Sequence, residues 1–145
     1  MTFFVDANVV IYSAVPSQYR ESCLEILDAI SRGEAEGKTS AAVLEEVWYV
    51  ERSGRAGNVD GLAAHAYTLF TPLLAVTDEA FRLALSVTEA STLGTNDRVH
   101  VGTCWAHGVT SIVSADAGFD RVRDIRRIDP LDRGMTQELM ARPGR

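Results

Sequence analysis

Apolar positions along this chain keep two rhythms, short unbroken runs of three or four and longer stripes at helical spacing, and the two alternate. The first run is Phe3, Phe4 and Val5. It fits a strand buried on both faces of a parallel sheet, although so short a run is ambiguous by itself. Residues 7–14 then read as a short helix closed by Pro16. In the next stretch, residues 18–31, Cys23, Leu24, Ile26, Leu27 and Ile30 recur on one helical face while Arg20, Glu21, Glu25, Asp28 and Arg32 face water. Gly33 and Gly37 end it.

A helix capped by Thr39 or Ser40 follows and runs to about Arg52. Val43, Leu44, Val47 and Val50 centre its apolar face; Glu46 lies roughly 100° from that centre and Glu45 roughly 160°. Glu46 therefore borders the core and Glu45 belongs in solvent, unless both are ordinary exposed helix formers. Gly54, Gly57 and Asn58 break the chain before a helix over residues 59–70, with Pro72 beyond it. Residues 73–76 are apolar and short, which predicts a second strand, and Thr77 caps a helix over residues 78–90. Asp78 and Glu79 suit the positive end of that helix. After a polar loop, residues 91–96, Asp97 opens a helix to about His107, with Thr95 or Asn96 as cap and Gly108 as stop.

Ser111, Ile112, Val113 and Ser114 predict a further strand, residues 125–128 a last strand at the sheet edge, and Pro130 closes the fold. Strands alternating with helices imply an α/β sandwich on a parallel sheet, occupying residues 1–134. Residues 135–145 read as a polar, loosely held tail.

Composition narrows the function without naming it. A chain of 145 residues is one ordinary domain, and 46% hydrophobic with 23% charged residues argues against disorder. No apolar run is long enough for a membrane span, and Asp6 interrupts the apolar start, against a secretory signal, so the cytoplasm is the default location. Cys23 and Cys104 show neither metal nor redox spacing and read as buried reduced thiols. A net charge of −6 lacks the usual footprint of a protein that handles nucleic acid. If four acids converge on metal ions, however, the remainder is −2. Arg121, Arg123, Arg126 and Arg127 crowd into one segment that could position phosphate, though codon bias would give the same richness in arginine.

Four acids stand at or near the ends of core elements: Asp6, Glu46, Asp97 and Asp116. Asp6 follows the first strand and Asp116 the later one, at the carboxyl ends where open α/β sheets place ligands. Each has a plainer reading. Asp6 or Asn8 caps a helix equally well, and Asp97 in a first turn favours the macrodipole. Together, like charges of this kind persist only when cations neutralise them, and all-oxygen ligands select Mg2+ or Mn2+. Two such ions roughly 4 Å apart would serve phosphodiester hydrolysis.

Phe-Val-Asp-Ala-Asn-Val-Val-Ile-Tyr from Phe4, Thr-Ser-Ala-Ala-Val-Leu-Glu-Glu-Val from Thr39, Asn-Asp-Arg-Val-His-Val-Gly-Thr from Asn96 and Ser-Ala-Asp-Ala-Gly-Phe-Asp from Ser114 occur in this order. In these segments the chain resembles PIN domains, more narrowly the VapC-type toxins of toxin–antitoxin pairs, over residues 3–130. The resemblance implies a three-layer sandwich with a central, mostly parallel sheet. It also implies Mg2+- or Mn2+-dependent endoribonuclease activity, a homodimer and a cognate antitoxin that blocks the site. The family's four acids fall on Asp6, Glu46, Asp97 and Asp116, with Asp6, Asp97 and Asp116 as the metal ligands. Ser114 matches a hydroxyl near the metal, Asn8 an amide beside the first aspartate, and Asp120 a variable extra acid. Arg98 stands where such proteins more often carry a small residue, so the entrance and substrate preference would differ.

Other readings fit less well. A haloacid dehalogenase-type phosphatase wants a second acid two residues after the first, where Asn8 stands, and a receiver domain needs a lysine late in the chain, whereas Lys38 is the only one. A PIN-like nuclease in RNA processing, or a silent interaction module of the same fold, remains as an alternative. His65, His100 and His107 are expected at the surface or behind the ligands, although His100 lies one turn from Asp97. Trp48, Tyr49 and Trp105 could stack on bases but are expected in the core or a dimer interface.

Overall fold

The computed structural model describes residues 1–88 and 92–141. The expected helix end at Ala90, the loop start at Ser91 and tail residues 142–145 lie outside the described residues. Within them the order is β1 (Thr2–Val5), α1 (Ala7–Ala14), α2 (Arg20–Ser31), β2 (Glu36–Lys38), α3 (Ala41–Ser53), α4 (Leu62–Phe70), α5 (Asp78–Leu85), α6 (Thr95–Ala106), β3 (Ser111–Val113), a 3-10 turn (Ala117–Arg121), β4 (Arg126–Ile128) and α7 (Arg133–Met140). The strands form one parallel sheet in the order β2-β1-β3-β4, with β4 at the edge as expected. Phe3 and Phe4 point to opposite faces and both are fully buried, so both faces are covered. This is the expected α/β sandwich.

Strand order reverses between β1 and β3, with β2 added on one side and β4 on the other, and in open parallel sheets such a switch point is where ligands gather beyond the strand ends. Val5 pairs with Val113, and the Asp6 N–H donates to the Val113 carbonyl at 3.1 Å. Two chain segments more than a hundred residues apart therefore leave the sheet side by side.

Several expectations need correction. The sequence gives no sign of β2, where Gly37 was expected only to stop a helix. Three residues without an apolar run carry no strand signal, yet Phe3 pairs with Gly37. The glycine is there for space. A Cβ at Gly37 would run into the Ile30 side chain of α2 and lie 3.0 Å from the Phe3 ring. Conversely, residues 73–76 form no strand. Only Leu74 bridges, to Ser40, and its N–H bonds the Thr39 carbonyl at 2.9 Å.

The helix that follows ends at Leu85 rather than near residue 90: the Ser86 and Val87 N–H groups tighten back onto the Leu83 and Ala84 carbonyls, and the Val87 carbonyl beyond is taken by the Arg98 guanidinium. Gly94, not Thr95 or Asn96, caps α6. Residues 133–140, which overlap the expected loose tail, are helical in α7, with Thr136 and Leu139 buried. Trp48 and Tyr49 are not core residues, being 54% and 63% exposed, whereas Trp105 packs partly against the core.

Helix α6 lies against α5 at very short range. A Cβ at Gly102 would collide with the Ala80 carbonyl oxygen and stand 2.7 Å from the Ala84 nitrogen. Main-chain atoms cannot swing aside as a side-chain tip can. Gly102→Ala should therefore destabilise the fold by about 1–3 kcal/mol, the range for overpacked interiors. Thermal unfolding should register a midpoint lowered by roughly 2–10 °C.

Candidate active site

Asp6 is held by its surroundings rather than by chance proximity. It caps α1 through Oδ1, which accepts from the Ala7 N–H at 2.8 Å. Its Oδ2 accepts from the Ser114 hydroxyl at 2.7 Å and from the Asn8 amide at 3.1 Å. Asn8 also donates to Ser114 Oγ at 3.0 Å and accepts from the Ala115 N–H at 3.1 Å, strapping α1 to the chain after β3. The Asp116 N–H donates to Ser114 Oγ at 3.0 Å, and the Asp116 carboxylate accepts from the Gly118 N–H at 2.8 Å. Asp6 thus caps α1 and at the same time lies in the acid cluster, its capping oxygen Oδ1 being the one nearest His100.

From the other side, α6 brings Asp97 in its first turn and His100 one turn later. His100 is fully buried, with Nε2 at 3.1 Å from Glu46 Oε1 and 3.9 Å from Asp6 Oδ1, and its ring 5.6 Å from that of Phe4. Its Nδ1 has no hydrogen-bond partner among the described residues. Glu46 on α3 reaches this imidazole, while Glu45, its neighbour, is exposed. His100 was expected at the surface or behind the ligands, and the surface half of that reading fails. Spacing put it near Asp97 but could not show that Glu46 lies across from it.

Burial and crowding set the electrostatics. Burial pushes the Asp6 carboxyl above its ordinary pKa, and nearby Glu46 adds to this, against the opposing pull of His100 and of the Ser114 and Ala7 hydrogen bonds. Asp97 is pushed up to about 7, first by burial, then by Asp6, with Glu46 and Asp116 contributing. Burial disfavours a charged His100, but the Glu46 hydrogen bond and the charges of Asp6, Glu46 and Asp97 outweigh it and raise its pKa. The four sequence-predicted acids thus share one electrostatic neighbourhood, with an imidazole among them.

One ligand atom each from Asp6, Asp97 and His100 lies within 4.8 Å of the others. Two carboxylates, one buried and one half-buried, that also repel one another, with a nitrogen beside them, form a donor set suited to a divalent cation. Because Glu46 engages His100 Nε2, the imidazole supports the carboxylates as they stand, and the oxygens are the ligands on offer.

Other candidates point elsewhere. Arg98 donates through Nε to the Leu93 carbonyl at 3.1 Å and through Nη1 to that of Val87, so it organises the main chain before α6. Asp120 pairs with Arg127 at 2.7 Å, and Arg127 also reaches Asp129 and the Ser114 carbonyl. Arg126 pairs with Glu138, and Arg123 lies over the Trp105 ring. These three arginines each have a partner within the fold. Burial pushes the thiols of Cys23 and Cys104 up to about 12, consistent with the expected inert role.

Comparison with known proteins agrees with this geometry. The family model described as PIN domain matches residues 3–125. Among solved structures, VapBC2 from Rickettsia felis, bound to a DNA fragment from its promoter, has a similar chain with TM-score 0.67, 14% identity and coverage of 89% of this chain and 98% of that one. The sarcin-ricin loop cleaving toxin VapC20 of Mycobacterium tuberculosis gives TM-score 0.64, 18% identity and coverage of 86% and 98%. No curated protein matches significantly by sequence.

The raised pKa of Asp97 makes a signed prediction for the metal-free protein. A carboxyl that titrates near 7 when folded and near 3.8 when unfolded holds its proton more tightly in the native state. Its contribution to stability is therefore full below about pH 4, is lost as pH rises to about 7, and is then constant. Relative to Asp97→Asn, the wild-type chain should lose on the order of 1 kcal/mol across that window, after allowance for solvent screening. Urea unfolding at several pH values measures this difference, and a flat difference would mean that Asp97 titrates normally.

Proposed function

The chain belongs to the PIN domain family, and from that premise we propose that it is a metal-dependent endoribonuclease, the toxin of a toxin–antitoxin pair. The observation that carries this reading is the acid cluster after the parallel strands: ligand atoms of Asp6, Asp97 and His100 lie within 4.8 Å of one another, Glu46 bonds His100, and Asp116 follows β3 beside Asp6. The solved chains of similar fold, one described as cleaving the sarcin-ricin loop, support RNA as the substrate. The reading includes a homodimer, a cognate antitoxin that blocks the site, and a cytoplasmic location. No described helix is long and apolar enough to cross a membrane.

Asp6 and Asp97, with Asp116 beside them, would hold Mg2+ or Mn2+, since hard oxygen donors prevail. When bound, such an ion supplies Lewis acidity and makes water nucleophilic at neutral pH. Ser114 and Asn8 fix the Asp6 carboxylate by their hydrogen bonds, so one of its oxygens cannot turn away. Ala7 fixes the other from the main chain. Glu46, held by its hydrogen bond with His100, would add a negative charge suited to orienting an incoming water rather than the phosphate.

Purified protein with Mn2+ should cleave single-stranded RNA, and Asp6→Asn or Asp97→Asn should abolish cleavage with far-ultraviolet circular dichroism unchanged. Full cleavage by either variant would reject the site. Ser114→Ala removes the hydroxyl that bonds Asp6, Asn8 and the Asp116 N–H without removing a ligand. Titration calorimetry should then show Mn2+ bound about 10- to 100-fold more weakly, the range for losses behind a metal ligand.

A further inference from the structure

Glu46 belongs to two places at once. It faces the acid cluster, and it also lines a cavity of about 510 Å³ that opens beside it between α1, α3 and the start of α6. Ile11, Ala42 and Val50 give the cavity an apolar lining; Tyr49, Glu45 and Asn96 complete it. Asn96 immediately precedes Asp97, and Tyr49 lies one turn beyond Glu46 on α3. The cavity thus shares Glu46 with the acid cluster and ends, at Asn96, on the residue before Asp97. Tyr49 is 63% exposed, so a large flat ring stands open on the wall of a cavity that also holds Glu46.

The chemistry of this cavity selects among the parts of an RNA chain. Phosphate is disfavoured, because Glu45 and Glu46 are both present and no cation is among the described lining residues. A nucleobase is not excluded. Apolar walls and an exposed aromatic ring suit its faces, while a carboxylate accepts from its N–H groups and the Asn96 amide can donate or accept. Carboxylates read exocyclic amines in this way. The base must be unstacked to enter, which requires a single-stranded or looped RNA.

We propose that this cavity is a base-binding subsite in which one unstacked nucleobase neighbouring the scissile phosphate stacks on Tyr49 and offers its amine to Glu45. The proposal rests on the ribonuclease reading and adds the element that selects where the chain is cut. Tyr49 is a specificity-determining residue in it, with no part in the bond-breaking step.

A double-mutant cycle tests this. Anisotropy would follow binding of a short labelled single-stranded RNA, and of the same RNA with one abasic position walked along it, to the cleavage-inactive Asp97→Asn chain with and without Tyr49→Ala. Wild-type cleavage of the parent RNA would be scored in parallel. One abasic position should weaken binding roughly 5- to 150-fold, the range for a lost stacking partner. Tyr49→Ala should cost about as much, and the two losses should not add. Tyr49→Phe should retain binding, whereas Glu45→Gln should narrow the preference for an amine-bearing base over uracil. Additive losses, insensitivity at every abasic position, or a Tyr49→Ala chain whose sole change is a dimer turned monomer would each overturn the subsite, the last by making Tyr49 part of a protein interface. A non-additive cycle without cleavage would overturn the nuclease reading alone, and cleavage with an additive cycle the subsite alone.

Discussion

The mutual repulsion of carboxylates gathered around Asp6 is the constraint that the rest of the structure answers to. At a separation near 4–5 Å, two such charges repel by about 3–4 kcal/mol at an effective dielectric near 20. What the fold offers in return is smaller per contact. Asp6 and Asp116 each take a main-chain N–H at a helix start, and Asp97 sits in a first turn, arrangements worth about 1 kcal/mol each. His100 adds a buried proton carrier between Glu46 and Asp6. These contacts hold the acids in place without cancelling their field, and the deficit is what a divalent cation would fill.

Topology makes the gathering possible. Because β1 and β3 are adjacent and parallel, the residues following each leave the sheet at the same height, and the Asn8 amide ties the two exits together. Helices α3 and α6 then deliver Glu46 and Asp97 from separate positions in the chain. A parallel sheet buried on both faces is rigid support for such a site, since its strands have no solvent-facing side to yield.

Much of this was legible in the sequence, for a physical reason. Asp6, Asp97 and Asp116 were visible as acids at element ends, and whether they were caps or site residues could not be decided from spacing, because a helix start satisfies both demands with the same carboxylate. Glu46 was separable from Glu45 by its angle on the helix. His100 was underestimated because its importance comes from residues on another helix, which no local pattern reports. Arg98 and Asp120 looked available because their partners, carbonyls in one case and Arg127 in the other, are set by tertiary contact. The short strand β2 was hidden for the same reason: Gly37 is explained by Ile30 and Phe3, not by its neighbours. Residues 73–76 erred in the opposite direction, having strand composition and no strand to pair with.

The seam at Gly102 has a further bearing on how such a protein can diversify. Helix α6 carries Asp97 and His100, and it is braced from behind by the peptide backbone of α5 rather than by adjustable side chains. Exchange of neighbouring residues therefore has little leverage on where those two groups stand. The outward surface of α3 is under no such restriction: Trp48, Tyr49 and Glu45 are exposed, whereas Gly102 is pressed against the main chain of α5. The molecule thus separates a mounting that tolerates almost no variation from a facing that tolerates a great deal, and new recognition can arise on the second while the first stays as it is.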